Sequence, residues 1–226
     1  MSNENVFTTQ ELKELGQPRQ ELIQASIDAG EAEKAKKLTR QMHREFLSMH
    51  DIYRDWIASL LSFIGRHYGD DAVREALQEY FDILMQPLGL LYSDQSPRRR
   101  AQMAAAGLRG HLHAFKVEED EEKFTFVLHP CGSGGRLALE GKYDPPCNFF
   151  KIKEAQQMTF QQQDFPVYCS HCYFQNIEPI KIIGKPLAIV VPPQNIGKEP
   201  CHAYLYKDPS YCPNEFKTIQ NSGILK

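Results

Sequence analysis

The sequence lacks a marked excess of charge of either sign. Its 226 residues include 26 Lys and Arg against 29 Asp and Glu, which gives a formal net charge of −3 at pH 7. A nucleic-acid-binding domain usually carries a basic excess. The balance of charges therefore argues against nucleic acid as a partner.

Long apolar runs are also missing. No apolar run approaches the roughly 20 residues that a membrane-spanning helix needs. Residues 1–5 have neither the basic start nor the apolar core of a secretory signal. We therefore expect a cytoplasmic protein without a membrane partner. Thiols stay reduced in that compartment, so clustered cysteines indicate metal binding or catalysis rather than disulfides.

Cysteine is absent from the first half of the chain, and proline is scarce there. All six cysteines follow residue 116, and only Pro18, Pro87 and Pro97 of the 14 prolines precede it. Proline favours turns and strand ends over helices, and the acidic run 117–122 is typical of a solvated connector. We predict an α+β protein, with a helical domain over residues 1–115 and a mainly β, loop-rich, metal-binding domain over residues 116–226.

The helical half contains a regular apolar stripe with steps of four and three residues. Its members are Met42, Phe46, Met49, Tyr53, Trp56, Leu60 and Phe63. This period predicts a long helix from about residue 31 to about residue 67 with the stripe buried. A second helix is predicted to begin at Asp70 and to stop before Pro87, and a third to run from about residue 96 to about residue 111.

Two polar residues flank the apolar stripe of the first long helix. His50 and Arg54 are one helical turn apart and offer hydrogen-bond donors to a substrate carboxylate. The alternative is that both are core-edge side chains paired with Asp51 and Asp55.

The second half opens with a strand, Lys123–Leu128, that runs into a glycine-rich turn. In an extended chain His129 and Cys131 point to the same side, so both can face one metal ion. The following glycines permit a tight turn and expose N–H groups that favour an anion. We therefore expect Ser133 to bind substrate and Arg136 to pair with a substrate carboxylate.

The segment 169–172 adds a Cys-x-x-Cys motif, whose two sulfurs can face one centre. Together with His129 and Cys131, the residues Cys169 and Cys172 form a tetrahedral set typical of zinc. Iron or an iron–sulfur cluster is the alternative, completed by Cys147 or Cys201. His171 is either a further ligand or a proton shuttle.

The cysteines have two other interpretations. The zinc could be purely structural and staple two segments together. A thioredoxin-like dithiol expects the motif at the start of a helix, and residues 173–179 show no convincing helical pattern. Residues 179–183 and 187–191 instead predict a hairpin, and residues 201–206 one more strand. Cys147, Cys201 and Cys212 are otherwise left outside the site.

Three segments carry a resemblance to a known family. Residues 126–137 (FVLHPCGSGGRL) and 167–172 (VYCSHC), after the helical residues 49–56 (MHDIYRDW), resemble a bacterial family. That family is similar to the L-2-amino-thiazoline-4-carboxylate hydrolase-like proteins. The resemblance implies an enzyme that hydrolyses its substrate or cleaves a C–N or C–S bond, and that acts on a small carboxylate.

These observations predict a zinc-dependent hydrolase or lyase that acts on a small, carboxylate-bearing substrate, either cyclic or open-chain. His171 and Arg136 are the predicted catalytic residues. The predicted substrate contacts are His50, Arg54 and Ser133, and the predicted metal ligands are His129, Cys131, Cys169 and Cys172. The alternative is a non-catalytic protein with structural zinc, whose helical half binds a small effector or a partner protein. Assembly into a homo-oligomer is left open.

Overall fold

The computed structural model describes residues 6–186 and 188–214, apart from the side chains of Leu90, Ser93 and Ile182. The fold combines long helices with a small antiparallel sheet, so the α+β class is confirmed. The chain divides into two compact units, Met1–Tyr53 and Arg54–Lys226. The predicted boundary at residues 115/116 falls inside the second unit.

Four helices precede the sheet. They are α1 (Thr9–Gly16), α2 (Arg19–Asp28), α3 (Ala32–Ser93) and α4 (Pro97–Gly110). The Ser96 side chain accepts a hydrogen bond from the N–H of Arg99 and so caps α4, which confirms the third predicted helix. Within α3 the backbone leaves helical geometry at Gly69, whose φ is 84°.

The predicted end of the helix before Pro87 is wrong, because α3 continues through Pro87 to Ser93. Proline removes one hydrogen-bond donor from a helix. However, Met85 lies in the core of the second unit and Leu88 packs against it. This apolar packing on both sides of Pro87 favours the continued helix.

The predicted buried stripe of α3 is also wrong. The seven side chains from Met42 to Phe63 are between 37% and 58% exposed. The buried face of the part of α3 that belongs to the second unit carries Ala58 and Ser62, both fully buried. Ser62 Oγ accepts a hydrogen bond of 2.9 Å from the N–H of Phe150. Small side chains allow the backbone at Phe150 to approach the helix this closely. The pattern of large apolar residues does not predict which face carries such small side chains.

The remaining elements alternate short strands and helices. They are β1 (Phe115–Glu119), β2 (Lys123–Leu128), α5 (Gly134–Leu139), β3 (Lys151–Ile152), β4 (Phe165–Pro166), α6 (His171–Ile183), β5 (Ile189–Val191) and β6 (Cys201–Tyr206). The four-stranded sheet has the order β1-β2-β6-β5 with antiparallel neighbours, and β3 pairs with β4.

The sheet confirms two predicted strands and overturns the predicted hairpin. β2 and β6 have the predicted bounds. Residues 179–183, however, form the end of α6, and β5 pairs with β6 instead. Ile180 of this run is buried within the helix, and a short apolar run alone cannot distinguish a buried helix from a buried strand.

The sheet and the helices α3, α4 and α6 contribute to the core around the site. Leu108 of α4 packs against Phe126 of β2 and Leu205 of β6. Phe81 of α3 and Phe174 of α6 belong to a second core cluster. No helix in the described parts of the chain is long and apolar enough to span a membrane.

Candidate functional site around Cys131

Three strand ends meet beside Cys131. β2 ends at Leu128, just before Cys131, and Leu128 pairs with Cys201, the first residue of β6. His113 comes just before β1, whose first residue, Phe115, also pairs with Leu128. The register of the sheet therefore gathers one histidine and two cysteines that are far apart in the sequence.

The glycines of the turn allow close packing at this point. A Cβ on Gly132 would overlap the backbone around His111 and His113, and a Cβ on Gly134 would overlap the sulfur of Cys169. The N–H of Gly132 donates to Nδ1 of His113 at 2.7 Å. This N–H is therefore used inside the protein and not for the anion that the turn predicted.

Cys131 is the centre of a small hydrogen-bond network. The thiol of Cys201 donates to the Cys131 sulfur, and the His113 ring and the N–H of Gly135 also hydrogen-bond it. The Cys201 bond, with the contribution of His113, outweighs burial and holds the pKa of Cys131 well below its usual range. The same bond and burial raise the pKa of Cys201. The arrangement therefore favours the thiolate form of Cys131, with Cys201 as the thiol that donates to it.

The Cys-x-x-Cys segment supplies a neutral histidine and two thiols. Nδ1 of His171 donates to the carbonyl of Tyr168 at 2.5 Å, so Nε2 presents a lone pair, 3.6 Å from the sulfur of Cys172. Burial lowers the pKa of His171. Burial also raises the pKa of Cys169 and of Cys172. The segment therefore offers a proton acceptor and no second thiolate.

The sequence predicts no helix after this motif, and this prediction counted against a redox dithiol. The prediction is wrong, because α6 begins at His171. The raised pKa values of Cys169 and Cys172 now argue against it, since reactive Cys-x-x-Cys cysteines have lowered ones. The six cysteines all lie in the described part of the chain and form no disulfide.

A cavity of about 320 Å³ opens beside these residues. Cys131, Cys172, Cys201, His113 and His171 line it, and apolar side chains of α3, α4 and the sheet form much of the remaining wall. The volume lies in the range of small-molecule sites. The arrangement can hold a small molecule against the Cys131 sulfur.

Ser133 lies in the wall of the same cavity, as its predicted role requires. It is buried, and its hydroxyl bonds to the Tyr168 hydroxyl. Burial raises the pKa of Tyr168 to about 12. The Tyr168 ring lies edge-on to His171, with 5.0 Å between the ring centroids. Tyr168 therefore links the glycine-rich turn to the Cys-x-x-Cys segment.

The predicted metal ligands are only partly brought together. His129 is exposed and does not line the cavity, because the strand ends at Leu128 and its alternation does not extend to the turn. Cys131, Cys169 and Cys172 lie close enough to affect one another's charge. Among residues 6–186 and 188–214, no three His, Cys, Asp or Glu side chains are placed to hold one metal ion. The zinc site stays a prediction.

The predicted substrate-orienting arginines lie in a different network. The guanidinium of Arg54 is 2.6 Å from Glu140, and that of Arg136 is 3.2 Å from the same carboxylate. Neither arginine lines the cavity. In the first unit, Nδ1 of His50 lies 3.0 Å from the Asp51 carboxylate. The pairing of Arg54 and His50 with neighbouring acids is the alternative that the sequence left open.

Two residues of the site escaped the sequence analysis. The sequence offers Cys201 only as an alternative residue that completes an iron–sulfur site, and His113 belongs to no local motif. Cys201 is the first residue of β6, and His113 lies just before β1. Only the pairing of these two strands with β2 brings both residues to Cys131. No local spacing in the sequence carries that information.

In comparisons of the chain with family models, curated proteins and solved structures, nothing matches. The resemblance to the hydrolase-like proteins is therefore an untested prediction.

Proposed function

We propose that the protein is a cysteine-dependent hydrolase of a small molecule, with Cys131 as the nucleophile. The observation that carries this proposal is the placement of Cys131, which lines a cavity of about 320 Å³ and accepts hydrogen bonds from Cys201 and His113. A thiolate is the nucleophilic form of cysteine, and such hydrogen bonds favour it.

The reaction has two steps. The Cys131 thiolate attacks an electrophilic carbon of the substrate, forms a C–S bond and expels the leaving group with its bonding electron pair. Water then attacks the same carbon, His171 Nε2 accepts the proton of that water, and the C–S bond breaks to restore the thiolate. The proton passes from His171 to the departed group. His171 suits this role because burial lowers its pKa and its Nε2 lone pair lies at the cavity beside the Cys172 sulfur.

A zinc enzyme is the second candidate. It is supported by the clustering of Cys131, Cys169 and Cys172, whose thiolates are strong zinc ligands. In that case the ion, when bound, would polarise the substrate or activate water. His171 would complete the ligand set in place of the exposed His129.

Alkylation distinguishes the two candidates. We expect iodoacetamide at pH 6.5 to modify Cys131 at least tenfold faster than the exposed Cys147, measured by peptide mass spectrometry. Cys201→Ala should slow the modification of Cys131, because it removes the thiol donor. Modification of Cys131 no faster than that of Cys147 would contradict the nucleophile. One zinc per chain by elemental analysis, with Cys131 protected until a chelator is added, would favour the zinc enzyme.

A further inference from the structure

The cavity beside Cys131 also constrains the chemistry of the substrate. We propose that the substrate presents to Cys131 the carbonyl of an uncharged, apolar acyl group of roughly ten non-hydrogen atoms. This inference rests on the proposed function for its chemistry, but the fit of the apolar group to the cavity can be tested separately.

The apolar wall of the cavity favours an apolar acyl group. Three structural layers contribute to it, with Met85 and Leu88 from α3, Leu108 from α4, and Phe126 and Leu205 from the sheet. Phe126 and Leu205 are almost fully buried, so the wall continues the apolar core. An acyl chain that covers this wall gains about 0.8 kcal/mol per methylene group.

The residues that line the cavity favour an uncharged substrate group. Among the described residues around the cavity there is no Lys, Arg, Asp or Glu. A carboxylate buried here would have no permanently charged partner, and only the lining histidines His111, His113 and His171 could pair with it. This conflicts with the small carboxylate that the sequence predicted, because Arg136 and Arg54 pair with Glu140 outside the cavity.

The polar groups beside Cys131 and the volume of the cavity indicate where the carbonyl lies and how large the acyl group is. Cys201 and His113 each hydrogen-bond to Cys131, and Ser133 follows in the same turn. These polar groups surround the attacking sulfur, where the substrate carbonyl would lie. Tyr92, His111 and Gln175 are further polar side chains of the lining. At about 30 Å³ for each group of the size of water, 320 Å³ holds roughly ten non-hydrogen atoms. Octanamide has this size.

Calorimetry with unreactive amides tests the inference on the full chain. We expect affinity to rise about fourfold per methylene group from butanamide to octanamide. The monoamide of adipic acid, which ends in a carboxylate, should bind at least tenfold more weakly than hexanamide. Equal affinity along the series, or tighter binding of the charged amide, would overturn the inference.

A pair of variants on α4 locates the binding. Ala104 lines the cavity, whereas Ala106 is exposed on the same helix. Ala104→Phe should abolish the dependence on chain length, and Ala106→Phe should retain it. Loss of the dependence in both variants, or in neither, would overturn the placement of the acyl group.

A separate measurement reports on the proposed function. Intact-mass analysis after treatment with p-nitrophenyl octanoate and acetate shows whether an acyl group becomes attached to Cys131. Faster attachment of octanoate supports both proposals. If the amides bind with the expected dependence but no ester acylates Cys131, the apolar site stands and the nucleophile fails. If all esters acylate Cys131 at one rate, the nucleophile stands and the apolar preference fails.

Discussion

At the scale of single residues, Arg54 shows how a side chain suited to substrate binding is used in the fold. It is only 3% exposed, and its guanidinium contacts Glu140 at 2.6 Å and Asp55 at 2.8 Å. Lys142 lies 2.7 Å from the same Asp55 carboxylate. A buried charge in such a network is costly to leave unpaired. We therefore assign Arg54 a structural role.

A double-mutant cycle tests this role. We expect Arg54→Ala and Glu140→Ala to show a coupling energy of about 2 kcal/mol in urea unfolding, because removal of either residue takes from a partly buried charge the partner that lies 2.6 Å away. The matched control is the exposed pair Lys153 and Asp164, whose coupling should stay below about 1 kcal/mol. Equal coupling in the two pairs would contradict a structural role for Arg54.

At the scale of elements, the packing of α3 depends on a glycine. A Cβ on Gly65 would overlap the ring of Phe150, whose backbone N–H is bonded to Ser62 of the same helix. We expect Gly65→Ala to destabilise the protein by about 1–3 kcal/mol, since overpacking forces neighbouring groups to shift. Gly110→Ala, at the end of α4, meets no atom within 4 Å and should leave the melting temperature unchanged or raise it. An equal effect of the two substitutions on the melting temperature would refute the contact.

The same elements show how much of the fold could be predicted from the sequence. The bounds of β2, β6 and α4 were predictable because alternation, β-branched residues and a Ser-Pro cap are local signals. The buried face of α3 was not, because Ala58 and Ser62 pack closely while Trp56 is exposed. In the site, Cys131 and Cys172 could be identified from their motifs. Cys201 depends on the register of the sheet, which no local pattern contains.

At the scale of the whole molecule, buried acidic groups link stability to pH. Burial raises the pKa of Cys169 and Cys172, and raises the pKa of Tyr168 and of Tyr173 to about 12. Above pH 9 the unfolded chain releases protons that the folded chain retains. The folded state then binds more protons than the unfolded state, so the free energy of unfolding falls as pH rises. Each group contributes roughly 1.4 kcal/mol per pH unit over its interval.

Tyr168 provides the test of this alkaline loss. Its usual pKa is 10.0 and its folded pKa is about 12. The stability that it contributes is therefore complete below pH 10 and is lost between pH 10 and pH 12. Urea unfolding of Tyr168→Phe should show a shallower fall above pH 10 than the unmodified chain, by up to about 1.4 kcal/mol per pH unit. The same substitution at the exposed Tyr211 should leave the slope unchanged. Equal slopes of unfolding free energy against pH for the unmodified chain and both variants would show that Tyr168 ionises as readily in the folded chain as in the unfolded one. The burial of Tyr168 between the glycine-rich turn and the Cys-x-x-Cys segment would then be wrong.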